Sequence, residues 1–181
     1  MSYTHHVSDE GLVLKKIVLG ERDVLLTLLS KSKGKLIVRA YGVKKITSRR
    51  ISHLETGNYI RFSLTKYHDK LSLGETELLW GYSQIKDSSH KLELLYLLFV
   101  ILNKILPEEH HEEQAFTLVL DYLKQLNNNE SVKVGGLDTM LKSLLMSLGY
   151  IDQKTARLPL FNPVSFVEGL VDRKINRSYF R

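Results

Sequence analysis

Cysteine is absent from the 181 residues, which excludes any disulfide framework, thiolate-held zinc or iron–sulfur site, or cysteine nucleophile. Proline occurs three times, at 107, 159 and 163, and the single tryptophan is Trp80. Long apolar runs are missing too. The most apolar, Leu94 to Leu102, is nine residues, against the ~20 needed to span a bilayer. Met1 to Glu10 is polar and lacks the apolar stretch of a secretory signal, so a cytoplasmic protein is expected. There is no internal repeat and no low-complexity tract. At 43% hydrophobic and 25% charged residues the balance is that of a folded globular chain.

Catalytic signatures are equally scarce. The chain has no G-x-S-x-G, no H-E-x-x-H, no G-x-x-x-x-G-K-[ST] and no G-x-G-x-x-G. Glu108-Glu-His-His-Glu-Glu113 is dense in metal-capable side chains. His110 and His111 are adjacent, however, and diverge on a helix, where ligands must sit three or four apart. The cluster reads as a solvated helix start whose acids suit the dipole. Asp9, Glu10, Glu21 and Asp23 have no spacing that demands a metal-dependent nuclease. No catalytic residue, metal or cofactor is therefore expected.

What is present is positive charge, unevenly spread. Lys and Arg number 26 against 20 Asp and Glu, a net +6. Residues 1–82 carry 14 cations and 8 acids (+6), residues 83–152 carry 6 and 10 (−4), and residues 153–181 carry 6 and 2 (+4). The excess is densest from Lys31 to Arg50, which holds eight cations and no acid. Such asymmetry points to a polyanion-facing first part.

Hydrophobic rhythm divides the chain near residues 82–89. Before it, Gly11–Lys16, Val24–Leu29, Lys35–Val43, Asn58–Lys66 and Leu71–Trp80 are apolar or alternating runs separated by turn signals. Leu36, Val38 and Ala40 share one face of a strand; Lys35, Ile37, Arg39 and Tyr41 share the other. Lys31-Ser-Lys-Gly34 reads as a hairpin turn, with Gly34 suited to a positive φ. Five short strands suit a small closed or sandwiched β domain. Trp80 and Phe62 are expected in its core.

After Tyr82 the period becomes helical. Ser88 or Ser89 caps a run from His90 to Leu106 that is apolar nearly all round, as an enclosed bundle helix would be. Further helices are predicted at Glu112–Leu126, at Leu137–Leu148 with Gly149 as its terminator, and within Val164–Ile175. The expected organisation is α+β: a closed or sandwiched β domain over 1–82, then a helical domain over 83–181 with a short C-terminal extension.

The basic stretch is the best candidate site. Lys31, Lys33, Lys35, Lys44, Lys45, Arg49 and Arg50 are suited to phosphates. Arg39 and Tyr41, on one strand face, combine a cation with a stacking ring as single-strand binders require. Three other readings remain: a protein-interaction adaptor with incidental basic charge, an RNA-binding protein of the translation apparatus, and a metal-dependent nuclease.

The order of motifs also resembles a known family. Gly11-Leu-Val-Leu14, Gly20-Glu-Arg-Asp23, Val24-Leu-Leu-Thr-Leu-Leu29, Gly34-Lys-Leu36, Arg39-Ala-Tyr-Gly42, Lys44-Lys45 and Ser48-Arg49 follow one another as in the N-terminal domain of the bacterial recombination mediator RecO. Leu144-Leu-Met-Ser-Leu-Gly-Tyr150 is similar to the family's helical L-x-x-L-G-Y element. The resemblance covers roughly residues 10–152. It implies an OB-fold barrel followed by a helical domain, and a non-catalytic function: binding single-stranded and duplex DNA, annealing strands and helping to load recombinase. It implies RecR and the acidic tail of single-strand-binding protein as partners, and a cytoplasmic, nucleoid-associated location. Two departures stand out. The four-cysteine zinc module of many members is excluded here, and only 29 residues follow Asp152.

Overall fold

The computed structural model describes residues 7–43, 49–67, 70–128, 135–171 and 174–175. Five strands, β1 (Val7–Leu19), β2 (Asp23–Ser30), β3 (Gly34–Ala40), β4 (Tyr59–Tyr67) and β5 (Lys70–Trp80), form a closed barrel in the order β1-β2-β3-β5-β4. Only the β3–β5 pairing is parallel, made at Arg39 and Ser72; the other four are antiparallel. A short 3-10 helix, Arg49–Ser52, lies between β3 and β4. The strand rhythm leaves a closed or a sandwiched domain open; the barrel is closed and OB-like, as the family resemblance implies.

Closure depends on β1. Its first half, Val7–Leu12, pairs with β4, and from Gly11 to Leu19 it pairs with β2. A register shift between Val13 and Lys15 bends it from one neighbour to the other. At the crossing there is no room for a side chain: a Cβ on Gly11 would lie 2.6 Å from the carbonyl oxygen of Leu29. The strand is longer at both ends than the apolar run Gly11–Lys16, because its polar N-terminal half is recruited by β4.

Alternation fills the interior. Val24, Leu26 and Leu28 of β2 and Leu36, Val38 and Ala40 of β3 point inward, joined by Ile60, Phe62, Leu64 and Leu73. Phe62 is core, as expected. Trp80 is not. It sits at the outer end of β5, on the side of exposed Leu78, and is 37% exposed.

The β2–β3 hairpin turns through Lys31, Ser32 and Lys33 into Gly34, whose φ is +72°. A Cβ on Gly34 would also fall 1.8 Å from the carbonyl oxygen of His110. Residues Leu106–His111 belong to the barrel's compact unit with Met1–Gly81. Within it, the Glu109 N–H donates to the Lys35 carbonyl at 2.9 Å, and Glu108 bridges Lys35 in parallel. This strap covers the part of β3 that β5 leaves unpaired. The cluster Glu108–Glu113 thus begins as a strap; the helix starts only at Glu113.

The second unit, Tyr82–Ile105 with Glu112–Arg181, is helical. It comprises α1 (Ser83–Lys86), α2 (Ser89–Ile105), α3 (Glu113–Asn128), α4 (Gly135–Ser147), α5 (Gln153–Ala156) and α6 (Pro163–Leu170). Ser88 Oγ accepts the Lys91 N–H at 3.4 Å at the head of α2. Gly149, φ +73°, ends α4, with the Tyr150 N–H reaching the Leu145 carbonyl at 2.9 Å. Asn162 caps the start of α6 through the Ser165 N–H at 3.0 Å, and that helix ends at Leu170, well before Ile175. The α2 helix is not enclosed all round. His90, Glu93 and Tyr96, three apart, form a narrow exposed strip opposite Leu95, Leu98, Ile101 and Leu102. The Lys91 ammonium is buried and donates to the Asn127 carbonyl at 3.2 Å, satisfying an acceptor at the C-terminus of α3. Among the described residues no helix is long and apolar enough to cross a membrane.

Gly34→Ala and Gly20→Ala separate backbone strain from collision. Gly20 has φ +59° but nothing within 4 Å of an added Cβ. In urea denaturation Gly20→Ala is expected to cost about 1 kcal/mol, and Gly34→Ala clearly more because His110 must also move. Equal losses would show that the strap does not press on the hairpin.

Candidate nucleic-acid interface

Cross-strand register places two rows of side chains on the outer surface of β1, β2 and β3. One row is Lys15, Thr27 and Ile37; the next is Ile17, Leu25 and Arg39. Ile17 and Ile37 are exposed, as is Tyr41 just beyond β3. Lys15, Ile17 and Ile37 were not nominated from sequence. Lys15 lies outside the basic stretch and Ile17 beyond the predicted first strand, while Ile37 shares by alternation the face of Arg39 and Tyr41 but carries no charge or ring.

The nominated residues divide into groups. Lys31 and Lys33 lie in the hairpin turn. Arg39 and Tyr41 lie at the opposite end of β3, about 20 Å away along the strand. Lys35 points to the same side of β3 as Ile37 and Arg39, but it is buried, with the strap bridging its backbone, and is not an open phosphate ligand. That corrects its expected exposure. Arg49 and Arg50 open the 3-10 helix, and their side chains lie outside the described residues, as do Lys44 and Lys45 altogether.

Carboxylates organise both groups. At the hairpin, buried Asp9 accepts hydrogen bonds from the Ser30 hydroxyl, from the Ser32 hydroxyl at 2.7 Å and from the Glu10 N–H at 2.8 Å. Ser30 Oγ in turn accepts the Lys33 N–H at 2.9 Å, and the Lys31 N–H donates to the Glu10 carbonyl at 2.8 Å. The turn carrying the two lysines is therefore tied down on both sides. The Lys31 ammonium itself stands 3.9 Å from Glu10.

Glu10 is chiefly engaged elsewhere. It accepts the Tyr59 hydroxyl at 2.7 Å and Arg61 at 3.0 Å, and these two hold its carboxyl below the ordinary range. Arg61 also donates to Glu77 at 2.7 Å. At the other end of β3, Asp23 accepts the Gly42 N–H at 2.9 Å and the Arg39 guanidinium through Nε at 3.2 Å and Nη2 at 2.8 Å. The Gly42 amide first, and Arg39 second, keep its carboxyl low. Arg39 also lies over the Tyr41 ring, 4.8 Å from the centroid. The expectation of uncompensated cations is corrected here: acids 16 and 21 positions away in sequence meet Arg39 and Lys31 in space.

The four acids weighed for a nuclease do not converge. Asp9, Glu10 and Asp23 each serve a different network, and no metal-ligand cluster of three occurs among the described residues. In the helical unit, a groove of about 690 Å³ is lined by Glu113, Gln114, Thr117, Leu118, Ser143, Met146 and Ser147. No cation lines it.

Residues 1–79 match a family model described as "Recombination protein O N terminal". Among curated relatives, the DNA repair protein RecO of Acetivibrio thermocellus is 23% identical over 146 residues, covering 81% of this chain and 58% of its own length. That of Thermoanaerobacter sp. is 26% identical over 147 residues, covering 80% and 58%. That of Thermodesulfovibrio yellowstonii is 29% identical over 148 residues, covering 81% and 58%. The chain thus spans somewhat more than half the length of these relatives.

Because Asp23 and Glu10 titrate lower folded than unfolded, they add stability above the unfolded carboxylate range. That stability is lost as pH falls through their depressed values. Denaturant midpoints measured from neutral pH into acid are expected to fall less steeply for Asp23→Asn with Glu10→Gln than for the parent chain. Identical pH slopes would remove these networks from the stability account.

Proposed function

We propose that the chain is a member of the RecO family, on the strength of the match over residues 1–79 and the relatives at 23–29% identity, and that it acts in DNA repair and recombination as a non-catalytic protein that binds single-stranded and duplex DNA. The observation that carries this is the outer face of β1–β2–β3, where cations, exposed aliphatic groups and a tyrosine share one surface of an OB-like barrel. Lys31 and Lys33 on the pinned hairpin, with Lys15, Lys44, Lys45, Arg49 and Arg50, neutralise phosphates and release their counterions, so affinity falls with salt. No base-edge reader is nominated, and sequence preference is slight. Holding two strands on one cationic surface lowers their mutual repulsion and promotes annealing. The protein works in the cytoplasm, at the nucleoid, with RecR as a partner in recombinase loading. The α3–α4 groove lends no support to docking of an acidic tail, because Glu113 is its only charged lining residue.

Fluorescence anisotropy on a labelled oligodeoxynucleotide tests the reading. Two variants are informative, Lys31→Gln with Lys33→Gln, and Arg49→Glu with Arg50→Glu. Loss of two phosphate contacts should weaken binding and flatten the plot of log affinity against log salt by about 1.4, at about 0.7 per contact on a single strand. Unchanged affinity and slope in both pairs would overturn the assignment, and tighter binding to matched RNA would reassign the substrate.

A further inference from the structure

Arg39 differs from the lysines of the hairpin in how its charge is used. Two of its N–H groups are already spent on one oxygen of Asp23, at 3.2 and 2.8 Å. The other oxygen of Asp23 takes the Gly42 N–H at 2.9 Å, fixing the backbone immediately after Tyr41. One carboxylate therefore positions both members of the Arg39–Tyr41 stack, whose 4.8 Å separation is that of a cation over a ring face. A phosphate approaching this guanidinium meets a matched charge and the repulsion of Asp23.

The neighbourhood points the same way. Arg39 stands between Leu25 on β2 and Ser72 on β5, with Ile17 beyond Leu25 in the same row, and the adjacent row carries exposed Ile37. Aliphatic side chains around a guanidinium and a phenol ring solvate a phosphate poorly. They suit a flat, apolar-faced group. The guanidinium keeps 45% of its side-chain surface in solvent and Tyr41 is 49% exposed, so the stack is accessible.

We infer that Asp23 is a positioning residue that converts Arg39 from a phosphate ligand into half of a stacking platform with Tyr41, which receives an unpaired base. This rests on the reading that the barrel binds nucleic acid, and adds that its face has two chemically different ends. The hairpin end grips the backbone through charge and is weakened by salt. The Asp23 end takes a base, and its contribution is insensitive to salt. Duplex DNA, whose bases are stacked on each other, gains only the first.

The test compares oligodeoxythymidine with an abasic oligonucleotide of the same length across a salt series. Arg39→Gln and, independently, Tyr41→Leu should each weaken oligodeoxythymidine binding about 5- to 150-fold, the cost of one lost base stack, with no change in salt slope. Neither should weaken binding to the abasic strand. Asp23→Asn keeps an acceptor for Gly42 but unmatches the Arg39 charge, so the salt slope should steepen by about 0.7. The inference is overturned if Arg39→Gln flattens the slope by that amount, or weakens abasic and base-bearing strands equally, or if Asp23→Asn leaves the slope unchanged. Absence of salt-dependent binding by the parent protein would overturn the DNA-binding reading itself, a result distinguishable from the others because it precedes any variant. Parallel melting curves of the variants separate misfolding from lost contact.

Discussion

Every strand of a closed barrel must serve two neighbours, and β1 does so by dividing its length, pairing with β4 along its first half and β2 along its second. The register shift after Val13 supplies the bend, and Gly11 supplies the close approach at the crossing. The shift changes which side of β1 faces inward, and so it turns Lys15 and Ile17 outward beside Thr27 and Leu25. The exposed rows that make up the proposed interface follow from that one irregularity. A regular β1 would aim a different set of side chains at solvent.

The surface built on this frame is held by acids as much as it is made of bases. Asp9 joins the start of β1 to the end of β2 through two serine hydroxyls, and the lysine-bearing turn is anchored as a result. Asp23 does the corresponding work at the far end of β3. Charge matching lowers the net potential of the face, but it fixes where the remaining cations and the aromatic ring stand. Ordering a long side chain on binding costs conformational entropy, and a pre-positioned one has already lost it.

The strap at 106–111 shows a different constraint. β3 touches β5 at one residue pair, leaving the β5-side edge at the start of β3 without a strand beside it. Backbone from between α2 and α3 fills part of that edge, donating to the carbonyl of the buried Lys35. The Gly34 conformation and the nearness of His110 both belong to this packing.

Much of the fold was legible in the residues alone. Alternation in Leu36–Val38–Ala40, the turn at Lys31–Gly34, the change to a helical period after Tyr82, and Gly149 as a helix terminator are local signals. Each depends only on which neighbours a residue has along the chain, so periodicity and φ preference suffice to read them. The motif order from Gly11 to Arg49 pointed to the family for the same reason. Tertiary structure decided the rest: that Asp23 meets Arg39, that Glu10 stands near Lys31, that Lys35 is covered, that Trp80 and Ile17 face outward. Those outcomes turn on cross-strand register and chain crossing. A shift of one residue swaps the faces of a strand while leaving its local pattern intact.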